Sequence, residues 1–329
     1  MKVAALAGAA IAVAAGVASA QSITAEADLT AGVSTENVRA GSTQARLFGA
    51  TASDWRFLTE VSLAATSGHP SDAFNAAYPY NGRLHAMELF VEKTFHRRAY
   101  IVGFRAGRYR TPFGIYTRGE YGYSGFVRPP LIRYGRDFAL SNTSLEAGVD
   151  LMAGIPQLFA ETSLGVPSDE GELQRRRALD VTARVQGYYR TLIVGASHVR
   201  SGRDRALGDF AQGNSRFSGF DGRWMWSGLQ LRGEWIFGRP FDGVTTRGGY
   251  IDFAIHRRAL GAVTPVVRAE RLDYEAGPFS IFEHRFTGGA RVQLLQWLTG
   301  QLNVIHQPHG LAANRVNVVD AGLTVSLRR

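Results

Sequence analysis

Leu229-Gln-Leu-Arg-Gly-Glu-Trp-Ile-Phe237 reads as a strand with two unlike faces. Leu229, Leu231, Gly233, Trp235 and Phe237 fall on one phase, and Gln230, Arg232 and Glu234 on the other. A period of two places alternate side chains on opposite faces of an extended chain. Trp55, Phe57, Thr59, Val61 and Leu63 repeat the pattern against Arg56, Glu60 and Ser62. So do Val319, Ala321, Leu323, Val325 and Leu327 against Asp320, Thr324 and Ser326. In a soluble sandwich the apolar phase points into a core. In a membrane barrel it points to lipid, and the polar phase lines a lumen.

Working outward, the pattern predicts sixteen strands: 22–33, 43–50, 55–65, 83–94, 99–110, 143–152, 157–166, 178–187, 191–200, 216–226, 229–238, 247–257, 260–272, 285–296, 298–307 and 316–327. Their linkers alternate in length. Short ones, such as 51–54, 95–98 and 227–228, take turns with longer ones near 34–42, 66–82, 111–142, 167–177, 201–215, 239–246, 273–284 and 308–315. Short turns at one end and long loops at the other, with an even strand number, are the rule for bacterial outer-membrane barrels. A sandwich needs no such alternation. The predicted fold is therefore all-β: a closed antiparallel transmembrane barrel of about 16 strands. Trp55, Phe95, Tyr100, Tyr188, Tyr189, Trp224, Trp226, Trp235, Phe237 and Trp297 gather near strand ends, where interfacial girdles lie.

Residues 1–20 have the layout of a cleaved secretory signal peptide. Lys2 begins it, Val3–Val17 is apolar and Ala-rich, and Ala18-Ser-Ala20 precedes the cut. The competing reading is an uncleaved N-terminal anchor. Residues 21–329 then form one exported domain. It has no cysteine, so disulfides play no part. No apolar run of about 18 residues follows the leader, which excludes helical spans. The net charge of +9 falls to +8 without Lys2, and almost all of the basic residues are arginine; lysine occurs only at 2 and 93. Export argues against nucleic acid as the partner of this charge. Outer-membrane lipid, the phosphates of lipopolysaccharide and small anionic solutes fit better.

Ala99–Asn142 begins as a strand and ends as the longest loop. Tyr100, Val102, Phe104 and Ala106 form its apolar phase, which sends Arg105 to the lumen. The strand breaks at Tyr109-Arg-Thr-Pro-Phe-Gly114. Between positions 105 and 136 stand Arg105, Arg108, Arg110, Arg118, Arg128, Arg133 and Arg136 against one acid, Glu120. A structureless stretch this long in a compact domain is commonly functional. Lumen-phase acids (Glu60, Glu88, Glu92, Asp252 and Glu270) oppose these arginines elsewhere.

Gly107-Arg-Tyr-Arg-Thr-Pro-Phe-Gly114 resembles the Gly-basic-x-x-x-Pro-Phe-Gly signature of outer-membrane porins of the phosphate-selective group. Sixteen-stranded porins fold their third external loop into the lumen, and the longest loop here occupies that place. Gly322-Leu-Thr-Val-Ser-Leu-Arg-Arg329 is similar to porin termini, although Arg329 replaces the usual closing aromatic residue. The resemblance implies passive diffusion of small hydrophilic solutes and a constriction loop defined by Gly107, Pro112, Phe113 and Gly114. It also implies that the seven arginines form an anion path, and that the protein is a homotrimer in the outer membrane. Lys93 is the only lysine past the leader, so a lysine-lined phosphate site is not expected.

Two other classes stay open, a barrel enzyme and a scaffold barrel with a closed lumen. The histidines are His69, His85, His96, His198, His256, His284, His306 and His309. None falls in a catalytic motif, and neighbours such as Ser197 and His198 point to opposite faces. The reading is not an enzyme, with no catalytic residues, metal or cofactor assigned. Ser168-Asp-Glu-Gly-Glu172 reads as a solvated loop rather than a calcium site.

Overall fold

The computed structural model describes residues 22–67, 84–115, 125–128, 130–131, 145–167, 179–203, 214–240, 243–309 and 316–328. The expected leader, the loop 68–82 and the acidic stretch 168–172 lie outside these residues. Sixteen strands run β1 Ser22–Ser34, β2 Arg39–Ala50, β3 Trp55–Ser67, β4 Leu84–His96, β5 Ile101–Arg110, β6 Leu145–Ile155, β7 Leu158–Pro167, β8 Asp180–Tyr189, β9 Leu192–Arg203, β10 Asn214–Trp226, β11 Leu229–Arg239, β12 Val244–Ile255, β13 Val263–Ala276, β14 Phe279–Leu295, β15 Leu298–His309 and β16 Val316–Arg328. Each pairs antiparallel with its sequence neighbours, and β1 closes on β16. Closure removes the unpaired edges of an open sheet.

The seam is explicit. Glu26 lies opposite Arg328 and Thr30 opposite Thr324, with the two threonine hydroxyls 3.1 Å apart. Because the strand number is even, both described ends fall at the rim that carries the short turns.

Polarity is inverted relative to a water-soluble core. Along β8, Asp180, Thr182, Arg184 and Gln186 are buried, whereas Val181 and Val185 are exposed. Along β11, Arg232 and Glu234 are buried and Leu231, Trp235 and Phe237 are exposed, as the alternation predicts. Gln230 shares their phase and meets His256. The ten aromatics expected at strand ends are all exposed, and Trp224 and Trp226 stack on the outer wall at 6.0 Å. An apolar surface this continuous is not left to water by a soluble monomer.

Strand number and closure match the sequence reading, but several boundaries do not. β2 begins at Arg39 rather than 43, and β12 at Val244 rather than 247. The expected loop 273–284 shrinks to Gly277-Pro278, with Glu275 paired to Ser280 and Ala276 to Phe279. Residues 273–275 read as loop, yet on a barrel rim they pair across the ladder. Arg247 and Arg271 both hold Asp273. Charge at a strand end does not end the strand when its cross-strand neighbour carries the opposite sign.

Candidate functional site

β5 delivers the first arginines. Arg105 faces inward, with Nη2 3.0 Å from Glu92 and Nη1 3.5 Å from Asp150. Its guanidinium lies over the rings of Phe90 and Tyr109. Gly107 sits within the strand, opposite Phe90 and Gly148. Arg108 lies opposite Leu89 and Ala147 in the ladder and is buried. Arg110, at the strand end, turns to the inner acids. Its Nη2 is 2.7 Å from Glu60, its Nε is 3.2 Å from Glu88, and its backbone N–H donates to Glu88.

Pro112 then turns the chain. The Phe113 N–H donates to the Thr111 carbonyl at 2.8 Å, closing a three-residue turn about a residue that has no N–H to give a ladder. The Phe113 ring enters a cluster of Val199, Phe217 and Ile236, with Leu272 against it, and has no exposed surface. Gly219 is the floor of that pocket, since a β-carbon there would crowd the Phe113 ring. Gly114 follows with φ 59°, and its N–H donates to Ser197 Oγ at 3.1 Å. A β-carbon at Gly114 would collide with the Glu234 carboxylate, so two separate constraints select glycine. Ile115 packs on Tyr250, whose hydroxyl donates to Glu234.

A second described stretch, Gly125–Arg128, meets the wall further round. Asn303 clamps its backbone, accepting from the Val127 N–H at 2.6 Å and donating to the Gly125 carbonyl at 3.2 Å. Phe126 packs with Ala254 and Val266, and the Arg268 guanidinium lies 4.0 Å from its ring centroid. Arg128 reaches Asp320 and Glu36, each at 2.7 Å. Its carbonyl accepts from Arg268, and the Leu131 N–H donates to Glu270. Arg118, Arg133 and Arg136 lie outside the described residues.

The wall beneath is a ladder of ion pairs. Arg184 binds Asp221 and Ser197, Arg232 and Arg268 share Asp252, and Arg285 holds Glu270. The five acids expected on the lumen phase all take arginine partners here. A buried pair of this kind contributes little net stability, but losing one partner strands a charge. Each of Arg105, Arg110 and Arg128 is thus answered by at least two carboxylates.

The sequence reading missed the receiving side of these contacts. Val199, Phe217 and Ile236 are apolar residues on the polar phase of their strands, and that break in pattern was the one local signal. Nothing local marks Asn303, Arg268 or Asp320. Ser197 and His198 do face opposite ways: Ser197 meets the loop inside, and His198 Nδ1 lies 2.9 Å from Ser218 Oγ outside.

Solved structures share this architecture, although no protein-family model and no curated protein sequence matches the chain. Salmonella typhi OmpF, in complex with daunomycin, matches with a TM-score of 0.68 at 11% identity, over 93% of this chain and 97% of that one. The trimer form of OmpT, an outer membrane protein of Vibrio cholerae, matches with 0.58 at 9% identity, over 93% and 98%. A mutant of the Rh. blastica porin matches with 0.51 at 12% identity, over 93% and 99%. At these identities the likeness is one of fold. The chain has the closed sixteen-stranded barrel of bacterial outer-membrane porins.

Proposed function

We propose that the chain is an outer-membrane porin, a water-filled channel for passive diffusion of small hydrophilic solutes, and not an enzyme. The observation that carries this reading is the inverted wall, apolar outside and ionic inside, closed by sixteen strands. Sixteen strands enclose more space than wall side chains fill. The loop 111–142, whose described residues 111–115, 125–128 and 130–131 reach side chains of β9–β16, is read as the third external loop folded into the lumen, where it sets the constriction. Purified protein in a planar bilayer should give discrete current steps. Silence at every voltage would favour a closed scaffold and overturn the channel reading.

A modest anion preference belongs to the same proposal. Its sources are the arginines at 105, 108, 110, 118, 128, 133 and 136, which focus a positive potential between low-dielectric walls. The acids that pair with Arg105, Arg110 and Arg128 offset much of their field, which keeps the preference small and sensitive to salt. With Lys93 as the one lysine past the leader, the Gly107–Gly114 likeness supports general anion passage rather than a phosphate site. Under a salt gradient the reversal potential should carry the anion sign. Arg110→Gln leaves Glu60 and Glu88 short of one cation, so the potential should move toward the cation side. A wild type that already prefers cations would refute the preference.

The mature chain is proposed to start at Gln21 after cleavage of 1–20, to sit among lipopolysaccharide in the outer membrane, and to assemble as a homotrimer. N-terminal sequencing of the exported protein tests the first point. Native mass spectrometry in mild detergent tests the last, and a mass of one chain only would reject it.

A further inference from the structure

Three arginines stand side by side on the outer wall, near the long-loop ends of β9, β10 and β11. Arg200 lies directly opposite Arg216, and Arg216 directly opposite Arg239. All three are exposed. Among the described residues none makes an ion pair or a side-chain hydrogen bond. Like charges directly opposite one another in a sheet repel, so this row is unfavourable unless an anion lies across it. The two described acids that line the adjoining groove, Asp273 and Glu275, are already engaged. Asp273 is held by Arg247 and Arg271, and Glu275 is 3.8 Å from Arg247.

Below the row the surface changes character. Two residues down each strand the outward positions are His198, Ser218 and Phe237, and two further down they are Ala196, Phe220 and Trp235. Phe220 and Phe237 stack at 6.2 Å. A groove of about 470 Å³ runs past Arg216, Arg239 and Arg247 down to Phe237. Cation above and aromatic hydrocarbon below is the profile of a lipid head group over its chains. Neighbouring strands are about 4.8 Å apart, so the row spans about 10 Å. That width suits a head group bearing more than one phosphate, and arginine's planar fork suits phosphate oxygens.

We propose that Arg200, Arg216 and Arg239 form a docking site for a phosphorylated lipid head group of the outer leaflet, of the lipopolysaccharide type. The site rests on the reading of the chain as a membrane barrel, but not on its being an open channel. It assigns β9–β11 as a lipid-facing wall, leaving other walls for contact between protomers.

The test is native mass spectrometry of the detergent-solubilised full barrel titrated with bis-phosphorylated lipid A, its dephosphorylated form, or inorganic phosphate. The wild type should retain the phosphorylated lipid and lose it to neither control. Each single Arg→Gln change should weaken retention about fivefold, and R200Q/R216Q/R239Q on the order of 100-fold. Arg→Lys at the three positions should fall between, because charge remains while the fork is lost. Bilayer conductance of the same variants reads the channel proposal separately, and should not change. Equal retention by wild type and triple variant would overturn the site. So would equal binding of the dephosphorylated lipid, or displacement by millimolar inorganic phosphate. Should the triple variant fail to fold, single variants that bind like wild type would overturn it equally.

Discussion

Phe113→Ala is expected to detach the long loop from the inner wall without unfolding the barrel. The ring is wholly buried among Val199, Phe217, Ile236 and Leu272. Truncating such a ring costs about 3–5 kcal/mol, as lost transfer energy and as a cavity. Here the lost contacts join the loop to the wall and leave the strand ladder alone. A loss of about 3 kcal/mol shifts the docked–undocked balance roughly 100-fold, so the segment after Pro112 should leave the wall far more often. Single-channel traces should become noisier, protease should cut within 116–124, and the thermal transition of the barrel should barely move. Gly114→Ala should act in the same direction, since it must both strain the backbone at φ 59° and displace the Glu234 carboxylate. Resistance of Phe113→Ala to protease, with quiet wild-type conductance, would show that the loop is held elsewhere, with Asn303 and Asp320 the next anchors to remove.

Deleting 115–133 is the second change with a large expected effect. If this stretch sets the constriction, its loss should raise single-channel conductance several-fold. Selectivity should move as well. The deletion removes Arg118, Arg128 and Arg133 against Glu120 alone, and it leaves Asp320 and Glu36 without the Arg128 guanidinium. The reversal potential should therefore shift toward cations while conductance rises. An unchanged conductance would remove the loop from any filtering role, whatever happened to selectivity. The barrel itself should survive, because Arg268 keeps Asp252 and Arg285 keeps Glu270 when the loop is gone.

Much of the inner surface was visible as pattern but not as partnership. Arg105 was assigned inward by the alternation of Tyr100, Val102, Phe104 and Ala106, and its pairing with Glu92 follows from the adjacent strand. Arg110 and Arg128 read as free cations of a pore, yet Arg110 closes on carboxylates of β3 and β4, and Arg128 on one of β16. A count of charges cannot say which are already answered. The boundary errors have a related origin. Residues 273–275 imply a loop by composition alone, whereas in the ladder Asp273 and Glu275 meet Arg247 of β12 and stay in the strand.

The sequence by itself determined strand number, the inside and outside of each strand, the ring of aromatics and the break within Tyr109–Gly114. These are local properties: a period of two sets the face, and proline and glycine set the turn. Tertiary structure alone decided where the loop goes after Gly114. Arg128 meets Asp320 across 192 residues, and Val127 meets Asn303 across 176. Such contacts exist because β1 closes on β16 and brings far strands round to face the loop. The partner of a loop residue then depends on the circumference and on the path across it, neither of which any local period encodes.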